Sequence, residues 1–509
     1  MGNLVGIDLG TTFSVISILD NLGRPELIPI DSERITPSVV YFGTDNVLVG
    51  KGAKNKLTDV DEAYRVIKNA KRDMGTSKVY TIDGNEYTPV QISSFILKKI
   101  ISEASEYKGQ IDEAVITVPS HFNENERNDT INAGKLAGID VKYIINEPTA
   151  ATLYFSSLNP IAGNVLVYDL GGGTFDVTIA RVSSNDVEVI TSVGDKHLGG
   201  TDFDKCILRI FEQRYHDKFG VNLIDNGNEE EFLNKAEELK RNLSNPKHDS
   251  QIIKLKGHAG NIETTITLKE YESSISQYIV KTELLIDSAL QEAGYTYSDI
   301  NHILLVGGST RTPLVSKTLK RMFNKDPLKV LNPDEAVSLG ASIYAGLKAD
   351  KNKLTVAQAN SINKLKLQEV CNDYYGTIYL NYNESMGLVE RRNFIMLDKN
   401  TQLPCSNKHI FETVHDGQTS IRCAVTQSKS EEKDPQFVEV IWEGHLEGLP
   451  PNRPAGQPIE ITFSYDQNQL MHCSYKDVNS GKELEVNLHP QESENLALQK
   501  EILNSILIE

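Results

Sequence analysis

Apolar positions near the start of the chain alternate in a short run, Leu4-Val5-Gly6-Ile7, break at Asp8-Leu9-Gly10-Thr11-Thr12, and resume beyond it. That pattern predicts a buried strand, a tight turn and a returning strand. The same arrangement recurs at Val167-Tyr168-Asp169-Leu170-Gly171-Gly172-Gly173-Thr174, again followed by alternating apolar residues. Other segments recur in the same order. Helical periodicity covers about 90–107 and 270–293, and each stretch leads into an apolar run, Ile111–Pro119 in one case and Ile300–Gly308 in the other. Asn146-Glu147-Pro148-Thr149-Ala150-Ala151 likewise pairs with Asn332-Pro333-Asp334-Glu335-Ala336-Val337. The order hairpin, helix, strand, helix therefore appears twice, which predicts a duplicated α/β architecture over residues 1–349, two lobes facing each other across a cleft into which the strand-to-turn junctions point.

Past this duplication the pattern changes. Residues 350–370 are rich in Lys, Asn and Gln without long apolar periodicity, and are expected to form a linker. Strict alternation in Ile459–Tyr465, and short candidate strands at Ile421–Val425, Phe437–Trp442, Leu470–Tyr475 and Leu484–Leu488, predict a small β domain over residues 371–489. Residues 490–509 are expected to end the chain in a short helix.

Composition narrows the partners. The 509 residues exceed what one hydrophobic core supports, and no run approaches the roughly 20 apolar residues of a membrane span. The start lacks a secretory pattern, so a cytoplasmic location is expected. A net charge of −18 repels nucleic-acid phosphate and anionic membrane, neither of which is expected as a partner. The five cysteines show no metal-ligand or Cys-x-x-Cys spacing and are read as buried or idle thiols.

The chemistry expected of the cleft follows from its turns. An Asp-Leu-Gly-Thr-Thr turn offers backbone N–H groups and two hydroxyls to phosphate, because glycine lets the chain approach closely. Asp8 and Asp169, one per lobe, suit a hydrated magnesium ion. Neither a Walker-type loop nor a Gly-x-Gly-x-x-Gly loop occurs.

Seven ordered motifs, Gly6–Ser14, Ile116–Phe122, Asn146–Ala151, Asp169–Asp176, His197–Asp204, Leu305–Arg311 and Asn332–Val337, make the chain resemble the seventy-kilodalton heat-shock chaperones of the DnaK type, within the actin and sugar-kinase superfamily, over nearly its whole length. The resemblance implies an actin-like, two-lobed ATPase followed by a β-sandwich that binds extended apolar peptide. It implies ATP or ADP with Mg²⁺, and K⁺ as a further ion. By resemblance Gly10, Thr11, Thr12 and Phe13, with Gly172, Gly173 and Thr174, hold the phosphates, Gly199 and Gly200 belonging to the same nucleotide site. Glu237, Lys240, Arg241, Ser244, Gly308, Ser309, Arg311 and Asp334 surround the adenosine. Lys71 is the expected catalytic lysine, completed by Glu147, Asp169 and Thr174, with Asp176 joining Asp8 and Asp169 as a metal-binding carboxylate. Lys71 has the alternative reading of a solvated helix cation, Arg311 that of a surface ion pair, and His197 is expected to be a packed or hydrogen-bonded structural histidine. In the β domain, Phe411, Val414 and Ile421 are expected to approach the peptide channel or, alternatively, to be core.

The sequence departs from the family in three places. The long helical lid is essentially absent, the leucine-rich linker reads Leu365-Lys366-Leu367-Gln368-Glu369-Val370, and a loop after Lys71 is short. Expected partners are unfolded or extended polypeptide together with J-domain and nucleotide-exchange co-chaperones. A rival reading is a nucleotide-regulated module serving one dedicated protein partner. A small-molecule kinase shares the two-lobed architecture, but the β domain argues against it.

Overall fold

A computed structural model describes the chain apart from residues 1–2, 60, 159–160, 184–185, 226–227, 329–331, 363–364, 384–387, 467–468, 489–499, 501–505 and 509. Its two large sheets repeat one plan. In the first, Asn3–Leu9 forms a hairpin with Phe13–Leu19 and pairs in parallel with Ile111–Val118, which in turn pairs with Asp140–Asn146. In the second, Gly163–Leu170 forms a hairpin with Phe175–Ser183 and pairs in parallel with Ile300–Val306. Asp8 sits opposite Val15, and Asp169 opposite Asp176, so both Asp-Leu-Gly turns close their hairpins at equivalent places.

The helices form where caps and apolar periodicity agree. Pro89–Lys108 starts at Thr88, whose side chain accepts from the Gln91 N–H while Gln91 reaches back to Thr88, and its buried face runs through Ile92, Phe95, Ile96 and Ile100. The helical stretch read at about 270–293 is two helices, Leu268–Ser274 and Ser276–Ala293, meeting at Ile275. Glu147–Leu158 and Ala336–Lys348, the helices that follow the second repeated motif, cross closely between the sheets. A Cβ on Gly340 would stand 1.7 Å from the Ala150 carbonyl oxygen, so only glycine allows this crossing. Around it one apolar cluster joins Val115 and Ile145 of the first sheet to Val165 and Val167 of the second.

The β-rich part stacks two four-stranded sheets. One runs Leu388–Leu397, Tyr374–Asn383, Ser420–Ser428, Glu439–Glu447, and the other Cys405–Glu412, Pro458–Tyr465, Met471–Asp477, Glu483–Asn487. Ile459, Ile461, Phe463 and Tyr465 alternate into the shared core, as the sequence pattern requires. Three of these strands, Tyr374–Asn383, Leu388–Leu397 and Cys405–Glu412, add to those expected from the sequence.

The segment read as a linker is structured. It carries the helix Val356–Ile362 and the strand Lys366–Gln368, which joins the second large sheet in parallel with Asp186–Asp195 through the pairs Lys366–Asp186, Leu367–Val187 and Gln368–Glu188. The predicted terminal helix falls largely outside the described residues. Of that tail, Ile506 and Ile508 pack on the first lobe's core and the Val47 N–H donates to the Leu507 carbonyl at 2.9 Å.

Candidate functional site

The cleft between the lobes is a cavity of about 810 Å³, large enough for a nucleotide, and it is lined by both Asp-Leu-Gly turns. The turns interlock. A Cβ on Gly172 would lie 1.7 Å from Thr12 Oγ1, and one on Gly173 would lie 2.5 Å from Thr11 Cγ2. Glycine at both positions is therefore what lets the two phosphate-type turns approach each other. Thr12 Oγ1 is buried without a hydrogen-bond partner, an orphan donor in the wall of an anion cradle.

At the deep end, Lys71 is only 6% exposed and its ammonium pairs with Glu147, which disposes of the solvated-cation reading. Asp8, Asp169 and Glu147 all line the cavity around this one ammonium. Burial first, and then the Glu147 carboxylate, push the Asp8 carboxyl up to about 7 and raise Asp169 well above the usual carboxylate range, with Lys71 opposing both. Three carboxyls crowded around one ammonium call for a further positive charge, which would favour the carboxylate form of Asp8 and Asp169. A hard cation that keeps waters and binds substrate phosphate suits such a donor set, and needs only one or two protein carboxylates. Among the described residues no cluster of three or more His, Cys, Asp or Glu side chains is arranged to hold a metal by itself. The site thus fits magnesium arriving with a nucleotide.

The other predicted residues divide into those that line the cavity and those that do not. Gly10, Thr11, Thr12, Phe13, Gly172, Thr174, Glu237, Lys240, Arg241, Ser244, Gly308, Ser309, Arg311 and Asp334 line it. Gly173, Gly199, Gly200 and Asp176 stand behind the lining: the Gly200 N–H donates to the Gly171 carbonyl at 3.0 Å, and Gly199 backs onto Gly172 so tightly that a Cβ would come within 2.6 Å of its carbonyl oxygen. Arg311 makes an ion pair with Asp334 at 2.7 Å and is still part of the wall, so its two readings coexist. His197 is exposed, and only its backbone N–H, bonded to Asp195 at 2.7 Å, is structural.

Several residues without a sequence assignment shape the site. Lys54 reaches across the cleft to Glu237 at 2.7 Å while lying over the Phe13 ring at 5.6 Å. Arg72 bonds Asp202 at 2.6 Å and the Gly173 carbonyl at 3.0 Å, fastening the helical turn Ala70–Asp73 to the second lobe. Lys240, already assigned to the adenosine wall, is held by the unassigned Asp204 at 2.8 Å. His121, inside the Ile116–Phe122 motif, meets Asp176 through Nδ1 at 2.9 Å, and its backbone carbonyl accepts from Lys429 of the β-rich part at the same distance. Ion pairs between segments this far apart carry no local sequence signal.

That last contact belongs to a larger interface. Glu124 and Arg127, on the helix Glu124–Leu136, are 3% and 1% exposed. Tyr375 and Tyr465 donate their hydroxyls to Glu124 at 3.0 and 3.1 Å, and Arg127 donates to Gln469 at 2.8 Å. The other lobe contributes Glu292, paired with Lys399 at 2.9 Å, and Glu188, which accepts from Gln402 at 2.7 Å. The β-rich part is thus seated on both lobes.

Of the residues expected near a peptide channel, Phe411 and Ile421 are partly buried against the β core, whereas Val414 is 46% exposed. Phe411 sits in an aromatic group with Phe394, Tyr379 and His409, ring centroids 5.4, 5.5 and 4.8 Å away.

Comparison with known proteins agrees with this geometry. The family model described as Hsp70 protein matches residues 4–505. The chain is 38% identical over 495 residues to a protein of Thermotoga petrophila named Chaperone protein DnaK, 39% identical to the one of Thermotoga neapolitana and 38% to that of Thermotoga maritima, in each case covering 94% of this chain and 79% of the relative.

Proposed function

The chain belongs to the Hsp70 protein family and is an ATP-dependent chaperone of the DnaK type, an ATPase that binds nucleotide and unfolded polypeptide, and we propose that residues 1–349 carry the nucleotide chemistry, 350–370 the coupling and 371–489 the peptide. The observation that supports this reading most directly is the interlocked pair of Asp-Leu-Gly turns facing a buried Lys71–Glu147 pair.

In the proposed mechanism the phosphates lie against the backbone of Gly10–Phe13 and Gly172–Thr174, where glycine lets the chain approach closely. Adenosine occupies the wall made by Glu237, Lys240, Arg241, Ser244, Gly308, Ser309 and Arg311, with Asp334 holding Arg311 in position. Lys71 stabilises charge on the transferring phosphoryl group, and Glu147 fixes the ammonium. Asp169 would take a hydrogen bond from the attacking water, and Thr174 would donate to the γ-phosphate. Magnesium held by Asp8 and Asp169 would supply positive charge to the phosphates. Asp176, whose Oδ2 is buried without a partner, is the carboxylate left for a second cation such as potassium.

Thr174→Ala tests one role. Its cavity-lining hydroxyl should matter to the transition state more than to the ground state, so turnover should fall by tens of fold while ADP affinity changes little. An equal loss of ADP affinity would make Thr174 a general phosphate contact.

The same proposal extends to regulation. Phe411 and Ile421 would meet an extended apolar peptide, with Val414 at its edge, in a cytoplasmic protein served by J-domain and nucleotide-exchange partners. Coupling runs through the strand Lys366–Gln368 and the Glu124–Arg127 interface. The sole tryptophan, Trp442, reports on it. Trp442 is half-buried, stacked on Tyr475 at 6.3 Å, and lies on the strand whose Glu439 accepts from Asn123 of the first lobe at 3.0 Å. Its emission should shift when ATP replaces ADP. A spectrum indifferent to saturating ATP, with linker proteolysis also unchanged, would point to a static two-domain module.

A further inference from the structure

The five cysteines have no paired spacing in the sequence, yet two of them meet in the fold. Cys371 Sγ and Cys405 Sγ lie 3.6 Å apart, both reduced. Among the described residues no other pair of cysteine sulfurs makes contact. Cys371 is fully buried and stands three residues past the end of the linker strand, while Cys405 opens the strand Cys405–Glu412 and is partly exposed. The backbone already clasps these two stretches together: the Cys371 N–H donates to the Thr401 carbonyl at 2.9 Å, the Asn400 N–H donates to the Cys371 carbonyl at 2.8 Å, and Val370 bridges Gln402. Joining the sulfurs at the ~2.05 Å of a disulfide therefore asks for side-chain rotation and a small approach, not for unfolding.

We propose that Cys371 and Cys405 form a peroxide-oxidisable dithiol, a modification site that fastens the end of the linker to the sheet carrying Phe411. The arrangement separates two roles. Cys405 is the sulfur that an oxidant can reach, and Cys371 is the resolving thiol held in contact behind it. The thiol contact from Cys371, together with a backbone donor on Tyr465, lowers the Cys405 pKa despite burial and favours the reactive thiolate there.

Cys405 thiolate attacks one oxygen of hydrogen peroxide. The O–O bond breaks, giving Cys405 sulfenic acid and a hydroxide that takes up the proton Cys405 released. Cys371 sulfur then attacks the sulfenyl sulfur, the S–O bond breaks, and the proton of Cys371 leaves with that oxygen as a second water. Two thiols lose two electrons, and peroxide is reduced to two waters.

The contrast with the remaining cysteines makes the proposal selective. Cys206 belongs to the core of the second lobe, and Cys423 and Cys473 are buried in the β core, where burial pushes the Cys423 thiol up to about 11 and Cys473 well above its usual value. No cysteine lines the nucleotide cavity, so oxidation can be followed without disabling the ATPase.

Full-length protein treated with a small molar excess of hydrogen peroxide, quenched, alkylated under denaturing conditions and digested without reductant should yield one cross-linked peptide pair, Cys371 with Cys405, and three alkylated cysteines. Cys371→Ser should lose the cross-link and leave Cys405 trappable by dimedone as the sulfenic acid. Cys405→Ser should leave Cys371 reduced. Parental ATPase in both variants confirms that they fold. Five alkylated thiols after peroxide, a cross-link between a different pair, or Cys405 carried to sulfinic acid without a disulfide would overturn the proposal.

Discussion

Replacing Lys71 with alanine should lower single-turnover ATP hydrolysis by about 10²–10³-fold, the loss typical when one preorganised charge-stabilising donor is removed from a water-poor site, while ADP still binds. The asymmetry follows from where the two kinds of contact come from. In the proposed mechanism phosphate would be met by backbone in the turns Gly10–Phe13 and Gly172–Thr174, which the substitution does not touch. The ammonium is the positive charge set against Asp8, Asp169 and Glu147 at the deep end. Its removal leaves those carboxyls to repel both one another and the charge developing on the phosphoryl oxygens. Because Lys71 is buried, a cavity alone could destabilise the lobe, so Lys71→Met, which keeps most of the volume, separates charge from packing. Both variants should lose turnover alike. Hydrolysis at the parental rate in either, measured with nucleotide binding shown saturated, would remove Lys71 from the chemistry.

Much of this site was legible in the sequence because its elements are local. An Asp-Leu-Gly turn at a strand end carries its own glycine requirement and its own acceptor, and finding it twice fixed the duplicated plan before any contact was known. Lys71 and Glu147 were legible only through the resemblance, since the two partners of the pair stand 76 positions apart. Lys54, Arg72 and His121 were not legible at all. Their partners are Glu237, Asp202 and Asp176, on other elements, and each alone reads as an ordinary polar residue.

The β-rich part shows the same division. Ile459–Tyr465 alternates strictly because one face is core, whereas Cys405–Glu412 is an edge strand with five consecutive exposed residues, Ser406–Ile410, and offers no apolar period to detect. The strand Lys366–Gln368 is only three residues long and exists because Asp186–Glu188 receives it. Glu124 stands in the first turn of a helix, where a carboxylate is ordinary, and Arg127 three positions on carries no local sign of burial. The seated β-rich part adds Tyr375 and Tyr465 to Glu124 and Gln469 to Arg127, partners that no local pattern announces.

Raising the pH from about 5.5 to about 8 should loosen the seating of the β-rich part on the lobes, through Glu369. Glu369 is 5% exposed, immediately after the linker strand, and burial pushes its carboxyl up to about 7. Thr149 and Asn146 face it as polar neighbours, but neither carboxyl oxygen has a well-formed hydrogen-bond partner. Arg127 is the cation that acts on it, and Lys348 feels its charge in turn. A carboxyl whose pKa is higher when seated than when released binds more protons in the seated state. Seating is therefore fully favoured below the ordinary carboxylate value of 4.5, and that advantage is lost as pH rises through about 7. The Glu124 carboxyl, raised by burial against the opposition of Arg127, adds in the same direction. For Glu369 alone the whole shift corresponds to at most about 3 kcal/mol, of which about 2 kcal/mol falls between pH 5.5 and 8. Glu369→Gln keeps the neutral shape at every pH, so it should hold the seated form at high pH and flatten the pH dependence. Small-angle scattering with a non-hydrolysable ATP analogue bound measures this as the radius of gyration, which should grow with pH in the parent and much less in the variant. Equal growth in both would assign the pH response to groups other than Glu369, and a radius independent of pH in the parent would mean that the ionised carboxylate is accommodated in the seated state without cost.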